Sequence, residues 1–195
     1  MIYKIPPRNF FGKEDCAYWE NFLTEEDLNY LYHHEYWKNV DEALVGESDS
    51  LRKIEEIRTT KISWLGSENV ELWEKISCTV AEVNRRYFGF DLTGFYEPMQ
   101  LSLYNAHNNS HYDWHVDSME NTVPRKLSMV LSLSDPKDYE GGELQIKTNS
   151  DAPITLEMLR GRAWFFPSYT LHRVTPVTTG IRKTAVLWIG GPQFK

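Results

Sequence analysis

The sequence predicts an α+β, mainly β domain, in which a β sandwich or barrel has helices packed outside it. Two observations lead to this class. Apolar residues recur with helical periodicity in the first half of the chain, whereas short β-rich runs separated by Gly, Pro, Asn and Asp turns begin near Gln100. The chain has 195 residues and is 41% hydrophobic, so one compact domain with a substantial core is expected.

Two helices and an intervening loop are predicted in the first half. The segment Thr24–Asp27 has the form of a capping box, and apolar residues follow it at helical spacing. A second amphipathic helix is predicted over Asn69–Tyr87, and its aromatic residues are expected to belong to the core. Residues 41–51 are acidic and lack apolar periodicity, which predicts an exposed loop and a candidate lid.

The second half contains short β-rich runs. They are Gln100–Tyr104, Lys126–Leu133, Glu143–Lys147, Ala163–Phe166, His172–Val177 and Arg182–Ile189. In the run Lys126–Leu133, apolar residues alternate with small and mostly hydroxylated ones, so one face of this strand is expected to be apolar and the other polar.

Composition disfavours several classes of protein. The formal net charge of −7 argues against a general affinity for phosphate backbones, so nucleic acid is not an expected partner. No apolar run is long enough for a signal peptide or a membrane span, so a cytoplasmic protein without a membrane partner is expected. Cys16 and Cys78 have neither zinc-site nor disulfide-framework spacing. The sequence does not determine the oligomeric state.

One group of residues has the pattern of a metal site. His115 and Asp117 lie two positions apart where a strand is expected to begin, and alternate residues of a strand point to the same side. His172 opens a later β-rich run. Two histidines and one carboxylate on one face are typical of non-haem iron(II) oxygenases. An HxD pair is also common as a surface hydrogen bond or around a buried core histidine, so these residues alone do not establish a metal site.

Two other groupings compete with this one. His107, His111 and His115 have the spacing of one helix face and would suggest zinc, but the intervening residues 108–110 (NNS) disfavour a helix. His111 and Asp113 form a second HxD pair, in the same strand phase as the first.

Three segments of the second half follow one another in a specific order. They are residues 112–117 (YDWHVD), residues 131–144 (LSLSDPKDYEGGEL) and residues 161–188, where GRAWFFP precedes His172 and Arg182 follows ten positions later. Over residues 100–192 the chain thereby resembles the prolyl 4-hydroxylase-like, PKHD-type branch of the iron(II)/2-oxoglutarate-dependent oxygenases. The aromatic residue three positions before His115 matches the metal segment of that family and favours His115 over His111.

This resemblance implies a double-stranded β-helix, a jelly-roll or cupin-like barrel, with N-terminal supporting helices. Residues 1–195 would form a single oxygenase domain, with helical support and edge strands in 1–99 and the catalytic barrel core in 100–192. It implies Fe(II) bound by His115, Asp117 and His172, with 2-oxoglutarate and O2 as cosubstrates and succinate and CO2 as co-products. Ascorbate is a further candidate ligand. Asp117 favours hydroxylation over halogenation, because related halogenases have a small residue in its place.

Arg182 takes the position of the basic residue that anchors the far carboxylate of 2-oxoglutarate in the family. A guanidinium can bind a carboxylate through two parallel hydrogen bonds, and alternation places Arg182 and Thr184 on the same strand face. Tyr104, Thr184 and Ser132 are further cosubstrate candidates, although related hydroxylases often have tyrosine in place of Ser132. A surface ion pair is the alternative role for Arg182.

The resemblance also points to a substrate, namely proline in a peptide or protein. Arg125 and Trp188 occupy positions that face the substrate in peptide-hydroxylating relatives, and Trp64 is a third candidate contact. A solubilising arginine and a core tryptophan are the alternative roles of the first two. Two other functions stay open: an oxygenase of a free amino acid or other small molecule, and a non-catalytic metal- or peptide-binding barrel. Trp188 and the acidic net charge disfavour a nucleic-acid demethylase of the same superfamily.

Overall fold

The computed structural model describes residues 14–33, 35–44, 54–117 and 123–193 of the chain. Its two α-helices in these ranges are α1 (Glu25–His33) and α2 (Val70–Val83), and the π-helix Asn84–Phe88 continues α2. Both helices confirm the prediction from the sequence. No helix in the described ranges is both long enough and apolar enough to span a membrane.

Side chains cap the start of each helix. The Thr24 backbone N–H donates to the Asp27 carboxylate at 3.3 Å, and the Asp27 N–H donates to the Thr24 hydroxyl at 3.2 Å, so the capping box is present. Asn69 caps α2, because its side-chain oxygen accepts from the Leu72 N–H at 3.1 Å.

Thirteen strands occur among the described residues. They are β1 (Ala17–Trp19), β2 (Asp41–Glu42), β3 (Lys61–Leu65), β4 (Gly94–Phe95), β5 (Met99–Asn105), β6 (Tyr112–His115), β7 (Arg125–Ser132), β8 (Tyr139–Gly141), β9 (Leu144–Lys147), β10 (Ile154–Leu156), β11 (Ala163–Pro167), β12 (Leu171–Val174) and β13 (Val177–Gly190).

The strands form two antiparallel sheets in this part of the chain. The larger sheet has the order β1-β11-β7-β13-β5-β3-β2, with β4 and β8 also paired to β13. The smaller sheet has the order β10-β9-β12-β6. Strand β13 is central, since it pairs with β5 on one side and β7 on the other.

The larger sheet buries both of its faces. Its outer face packs against α1 and α2 through apolar side chains that include Leu28, Leu31, Leu72, Ile76, Met129, Leu131, Ala185 and Leu187. Its inner face packs against the smaller sheet through Tyr104, Val130, Leu144, Ile146, Phe166, Val174 and Val177. Helices outside a barrel of two facing sheets are the architecture that the sequence predicted.

Two local predictions are corrected by the structure. The predicted strand His172–Val177 is two strands, because β12 ends at Val174 and β13 begins at Val177, after Pro176, which has no N–H to donate to a ladder. The predicted loop 41–51 begins with strand β2, which pairs with β3. Residues 45–51 of that candidate lid lie outside the described residues.

Candidate active site

His115 and His172 meet on neighbouring strands of the smaller sheet. His115 is the last residue of β6, and it is the cross-strand partner of His172 in β12. Asp117 Oδ1 lies 3.7 Å from His115 Nε2, and Asp117 Oδ2 lies 3.5 Å from His172 Nε2. One potential ligand atom from each residue lies within 4.8 Å of the other two. The structure therefore brings the three predicted metal residues together.

Asp117 reaches this cluster by a route that differs from the predicted strand alternation. Strand β6 ends at His115, so Asp117 lies in the loop that follows. Its backbone N–H donates to the Ser168 carbonyl at 2.9 Å, and its carboxylate accepts from the Ser128 hydroxyl at 2.7 Å. The Ser128 and Ser168 hydroxyls are 3.0 Å apart. Hydrogen bonds to two distant segments thus orient the carboxylate.

The hydrogen bonds of both imidazoles identify the nitrogen that is free to bind a metal. His115 Nδ1 lies 2.7 Å from the Asp113 carbonyl, and His172 Nδ1 lies 2.9 Å from the Thr170 carbonyl. Because a carbonyl only accepts hydrogen bonds, each Nδ1 carries the proton and each Nε2 keeps its lone pair. A backbone carbonyl behind the ring is a usual support of a metal-binding histidine.

The surroundings favour the protonation states that bind metals. Burial, followed by the neighbouring His172, lowers the pKa of His115 to about 3. Burial acts to raise the pKa of Asp117, but His172, His115 and the Ser128 hydroxyl outweigh it and hold this pKa below its usual range. The Trp188 indole N–H contributes to that lowering, although its geometry falls short of a hydrogen bond. Metals bind neutral imidazoles and ionised carboxylates.

The rival histidines do not join this cluster. The two ring nitrogens of His111 lie 3.0 Å from the Asn109 carbonyl and 3.3 Å from the Glu56 carbonyl, and the cluster of potential ligand atoms contains only His115, Asp117 and His172 among the described residues. Residues 106–108 form one 3-10 turn and β6 begins at Tyr112, so no helix aligns His107, His111 and His115.

A cavity of about 570 Å³ adjoins the three residues, and Arg182 lies in its wall. The Arg182 side chain has no exposed surface, and none of its three guanidinium nitrogens has a hydrogen-bond partner. Its Cζ lies 5.0 Å from the ring centroid of Tyr104, another wall residue. A buried, unpaired guanidinium is costly unless an anion binds it, so this position fits the carboxylate of a ligand.

Strand β13 shows the predicted alternation. Arg182, Thr184 and Trp188 line the cavity, whereas Ala185, Leu187 and Ile189 lie in the core beneath the helices. Of the other cosubstrate candidates, Tyr104 lines the cavity but Ser132 does not. Ser132 is fully buried, and its hydroxyl donates to the Ser134 carbonyl at 3.3 Å. Ser132 therefore lies next to the cavity, as the cross-strand partner of Thr184, but does not line it.

The three predicted substrate residues all line the cavity. Trp64 is 42% exposed, and its ring centroid lies 6.4 Å from that of Trp188. Arg125 Cζ lies 3.8 Å from the Trp188 ring centroid, and both oxygens of Glu97 accept hydrogen bonds from the Arg125 guanidinium. Arg125 thus already has a carboxylate partner, which holds it over the Trp188 ring.

The sequence analysis missed two residues of this region, Ser128 and Arg58. Ser128 orients Asp117, and the hydroxylated face of β7 was a signal for it. Arg58 lines the cavity, is 7% exposed, and has a buried Nε without a hydrogen-bond partner. It belongs to no recognisable motif, so the local sequence does not mark it.

The β-rich half of the chain is similar to known sequences. Residues 99–190 match the profile of the 2OG-Fe(II) oxygenase superfamily. A PKHD-type hydroxylase of Teredinibacter turnerae is 42% identical over 98 residues, which are 47% of this chain and 42% of the relative. One of Synechococcus sp. is 41% identical over 101 residues, 49% of this chain and 45% of the relative. The chain spans less than half the length of these curated relatives.

Solved structures share the fold. The prolyl hydroxylase of Trichoplax adhaerens, in complex with a peptide fragment of the hypoxia-inducible-factor oxygen degradation domain, has a TM-score of 0.72 at 18% identity. That similarity covers 90% of this chain and 83% of the other. A Pseudomonas putida prolyl-4-hydroxylase has a TM-score of 0.70 at 18% identity, covering 92% and 94%. The two sheets therefore form a double-stranded β-helix.

The segment that matches the superfamily begins with β5 and ends with β13. It contains His115, Asp117, His172 and Arg182, which all line the cavity. The sequence relatives of this segment are PKHD-type hydroxylases. Residues 99–190 are therefore similar to the 2OG-Fe(II) oxygenase superfamily and, within it, to PKHD-type hydroxylases.

Proposed function

We propose that this chain is an Fe(II)- and 2-oxoglutarate-dependent hydroxylase whose substrate is proline in a peptide or protein. The observation that carries the proposal is that one cavity combines a His-Asp-His cluster with the buried, unpaired guanidinium of Arg182. The match of residues 99–190 to the 2OG-Fe(II) oxygenase superfamily supports the reaction class.

The donor set of the cluster fits Fe(II). Two imidazole Nε2 atoms with free lone pairs and one carboxylate are the ligands of the non-haem iron oxygenases, and three protein ligands leave positions for a cosubstrate. Once bound, the iron supplies the oxidative chemistry. His115 and His172 hold their Nε2 atoms toward Asp117, and Ser128 keeps the Asp117 carboxylate oriented.

Arg182 is the proposed anchor of 2-oxoglutarate. Its guanidinium would bind the far carboxylate through two parallel charge-assisted hydrogen bonds, at no further desolvation cost to the arginine, which is already buried. Tyr104 and Thr184 lie on the same cavity wall, where their hydroxyls can add hydrogen bonds. Apolar wall residues exclude water around this end of the cosubstrate, namely Val130, Leu144, Val174 and Val186.

Aromatic side chains support proline in a peptide as the substrate. Trp64 and Trp188 line the cavity, and their ring faces can pack against a pyrrolidine ring. Arg125 is held by Glu97 over the Trp188 ring, so its proposed role is to position that ring. A structural neighbour was solved with a peptide fragment, which supports a peptide or protein substrate.

The proposal is tested by turnover. The full chain is incubated with Fe(II), 2-oxoglutarate and a pool of proline-containing peptides in air, with a His172→Ala variant as the control. Succinate is expected to form, and tandem mass spectrometry is expected to locate one added oxygen atom on proline. Parallel reactions with and without ascorbate test whether it sustains turnover.

Different outcomes separate the parts of the proposal. An added oxygen on another residue, or turnover only with a free amino acid, would overturn the substrate and leave the cofactors standing. A protein that binds metal and 2-oxoglutarate but never forms succinate would be a non-catalytic binding barrel.

A further inference from the structure

We propose that Arg58 is a second anion-binding residue of the cavity and that it recognises a carboxylate of the substrate. This inference rests on the proposed function, which it deepens by naming a chemical feature of the substrate.

Arg58 and Arg182 differ from every other arginine in the described part of the chain. Six of the eight arginines there have hydrogen-bond or ion-pair partners on the protein, namely Arg85, Arg86, Arg125, Arg160, Arg162 and Arg173. The side chains of the remaining two, Arg58 and Arg182, have no hydrogen bond or ion pair among the described residues, and both line the same cavity; the Nε of Arg58 and all three guanidinium nitrogens of Arg182 are buried. The two unpaired arginines therefore coincide with the proposed binding site.

The backbone holds Arg58 in a fixed position beside the metal cluster. Arg58 forms an isolated β-bridge with Tyr112, in the strand that ends at His115. Backbone hydrogen bonds flank it on both sides: the Thr59 N–H donates to the His111 carbonyl at 3.1 Å, and the Asp113 N–H donates to the Ile57 carbonyl at 2.8 Å. A binding residue on a rigid backbone loses little entropy when its ligand arrives.

The side chain of Arg58 lies in a stack that reaches the metal cluster. Its Cζ is 4.3 Å from the Tyr112 ring centroid, and the Tyr112 ring stacks on the His115 ring with centroids 3.5 Å apart. A cation over an aromatic ring is stabilised, but the ring does not satisfy the in-plane N–H donors. Arg58 is only 7% exposed, and its Nε is buried without a hydrogen-bond partner, so water does not satisfy that donor. An anion would satisfy it together with the terminal N–H groups.

The substrate is the remaining source of that anion. Arg182, in the larger sheet, is the proposed partner of the far carboxylate of 2-oxoglutarate, and the other end of that molecule belongs at the metal. A carboxylate matches the planar guanidinium. A phosphate fits less well, because its greater charge would meet Asp41 and Glu42 on the same cavity wall. The carboxylate is supplied by an Asp or Glu side chain near the hydroxylated proline, or by a main-chain terminus.

The test measures the binding of matched peptides to the wild-type protein and to two Arg58 variants. Arg58→Met removes the charge at similar length, and Arg58→Glu reverses it. Arg85→Met is the matched control, because Arg85 is exposed and paired with Glu82. Acetylated, amidated proline peptides carry Glu, Gln or Lys beside the proline, and a second set ends in proline with either a free carboxylate or an amide. Protein loaded with Zn(II) and 2-oxoglutarate is titrated, so that binding is measured without turnover.

Wild type and Arg85→Met are expected to bind the carboxylate member of one peptide set about tenfold or more tightly than its neutral partner, as for a charge-assisted hydrogen bond. Arg58→Met is expected to lose that ratio, and Arg58→Glu to prefer Lys peptides. The peptide set that shows this preference identifies the source of the carboxylate, which is either an acidic side chain beside the proline or the main-chain terminus. Equal binding of both members by wild type, or a ratio retained in Arg58→Met, would overturn the proposal.

Two further readouts separate this inference from the proposed function and from a structural role. Weaker 2-oxoglutarate binding in Arg58→Met would assign Arg58 to the cosubstrate and overturn the proposal. The melting temperature of the ligand-free Arg58→Met variant is expected to equal or exceed that of wild type, because a buried unpaired charge has been removed; a marked decrease would make Arg58 a structural residue. If Arg58→Met loses the carboxylate preference but no proline is ever hydroxylated, Arg58 keeps its role and the proposed function fails.

Discussion

Arg182 is a fully buried cation that no described residue neutralises. Protein interiors normally pair buried charges, because desolvation of an unpaired ion costs several kcal/mol. The free protein therefore carries a destabilising group at the point where an anionic ligand would stabilise it. This property distinguishes a binding arginine from the six paired arginines of the described chain.

Replacing Arg182 by Met is expected to weaken 2-oxoglutarate binding by about 3 kcal/mol, roughly a hundredfold, because a bidentate charge-assisted contact is lost. Metal affinity should not change. Calorimetric titration of Zn(II)-loaded protein with 2-oxoglutarate measures the effect. Arg173→Met is the control, since Arg173 is paired with Gln145 outside the cavity wall. An unchanged dissociation constant would show that the anchor lies elsewhere.

Ser128→Ala is expected to lower the affinity for Zn(II) about tenfold or more, because a hydrogen bond that orients a ligating carboxylate is lost. Competition with a chelating dye measures this affinity. Ser132→Ala is a closely matched control: it lies on the same strand, is equally buried, and donates to the Ser134 carbonyl instead of to a ligand. Equal losses in both variants would mean that Ser128 acts through general stability.

At the scale of elements, the turn between β8 and β9 brings the backbone against the proposed anchor. Gly141 and Gly142 both have positive φ, of 73° and 61°. A Cβ on Gly142 would lie 2.9 Å from Arg182 Cδ, and a Cβ on Gly141 would clash with the Pro176 carbonyl oxygen. The paired glycines therefore serve both the turn and the packing of Arg182.

Gly142→Ala is expected to destabilise the fold and also to weaken 2-oxoglutarate binding about tenfold or more, because the added methyl group displaces Arg182. Gly89→Ala isolates the backbone contribution: Gly89 has a φ of 65° and no atom near its Cβ position. That control should lose about 1 kcal/mol of unfolding free energy and keep wild-type 2-oxoglutarate affinity. Urea unfolding measures the free energy of unfolding, and calorimetry measures the affinity for 2-oxoglutarate. Equal 2-oxoglutarate affinities of the two variants would show that Gly142 does not act through Arg182.

At the scale of the whole molecule, the larger sheet joins the helical half to the cavity. The same strands, β7 and β13, contact the helices with one face and the cavity with the other. We therefore predict that residues 1–195 unfold as one domain. Urea transitions followed by far-ultraviolet circular dichroism and by tryptophan fluorescence should coincide. Separate transitions for the helical and barrel regions would contradict the single-domain prediction.

If the chain unfolds as one domain, a ligand bound in the cavity should raise the free energy of unfolding of the whole domain. With Zn(II) present, 2-oxoglutarate at a hundredfold excess over its dissociation constant should raise the free energy of unfolding by about 2.7 kcal/mol. Arg182→Met should show no such increase at that concentration.

The sequence by itself determined the elements whose signals lie within a few neighbouring residues. The capping box at Thr24 and the periodicity of α2 identified both helices, because capping and amphipathic patterns repeat within one or two turns. The alternation after Arg182 assigned the faces of β13, since side chains of a strand alternate regardless of its partners. The three segments 112–117, 131–144 and 161–188 indicated the resemblance to the oxygenase family, because the residues of each motif and their order can be read directly from the chain.

Only the tertiary structure decided the features that depend on contacts between distant segments. Asp117 lies outside its predicted strand and is oriented by Ser128 and Ser168. Ser132 has the expected strand phase but is not a residue of the cavity wall, and Arg58 lies in that wall although its segment has no motif. Whether an arginine is paired, or a carboxylate is oriented, is set by atoms that folding brings together from separate parts of the chain, and local sequence contains no record of those distances.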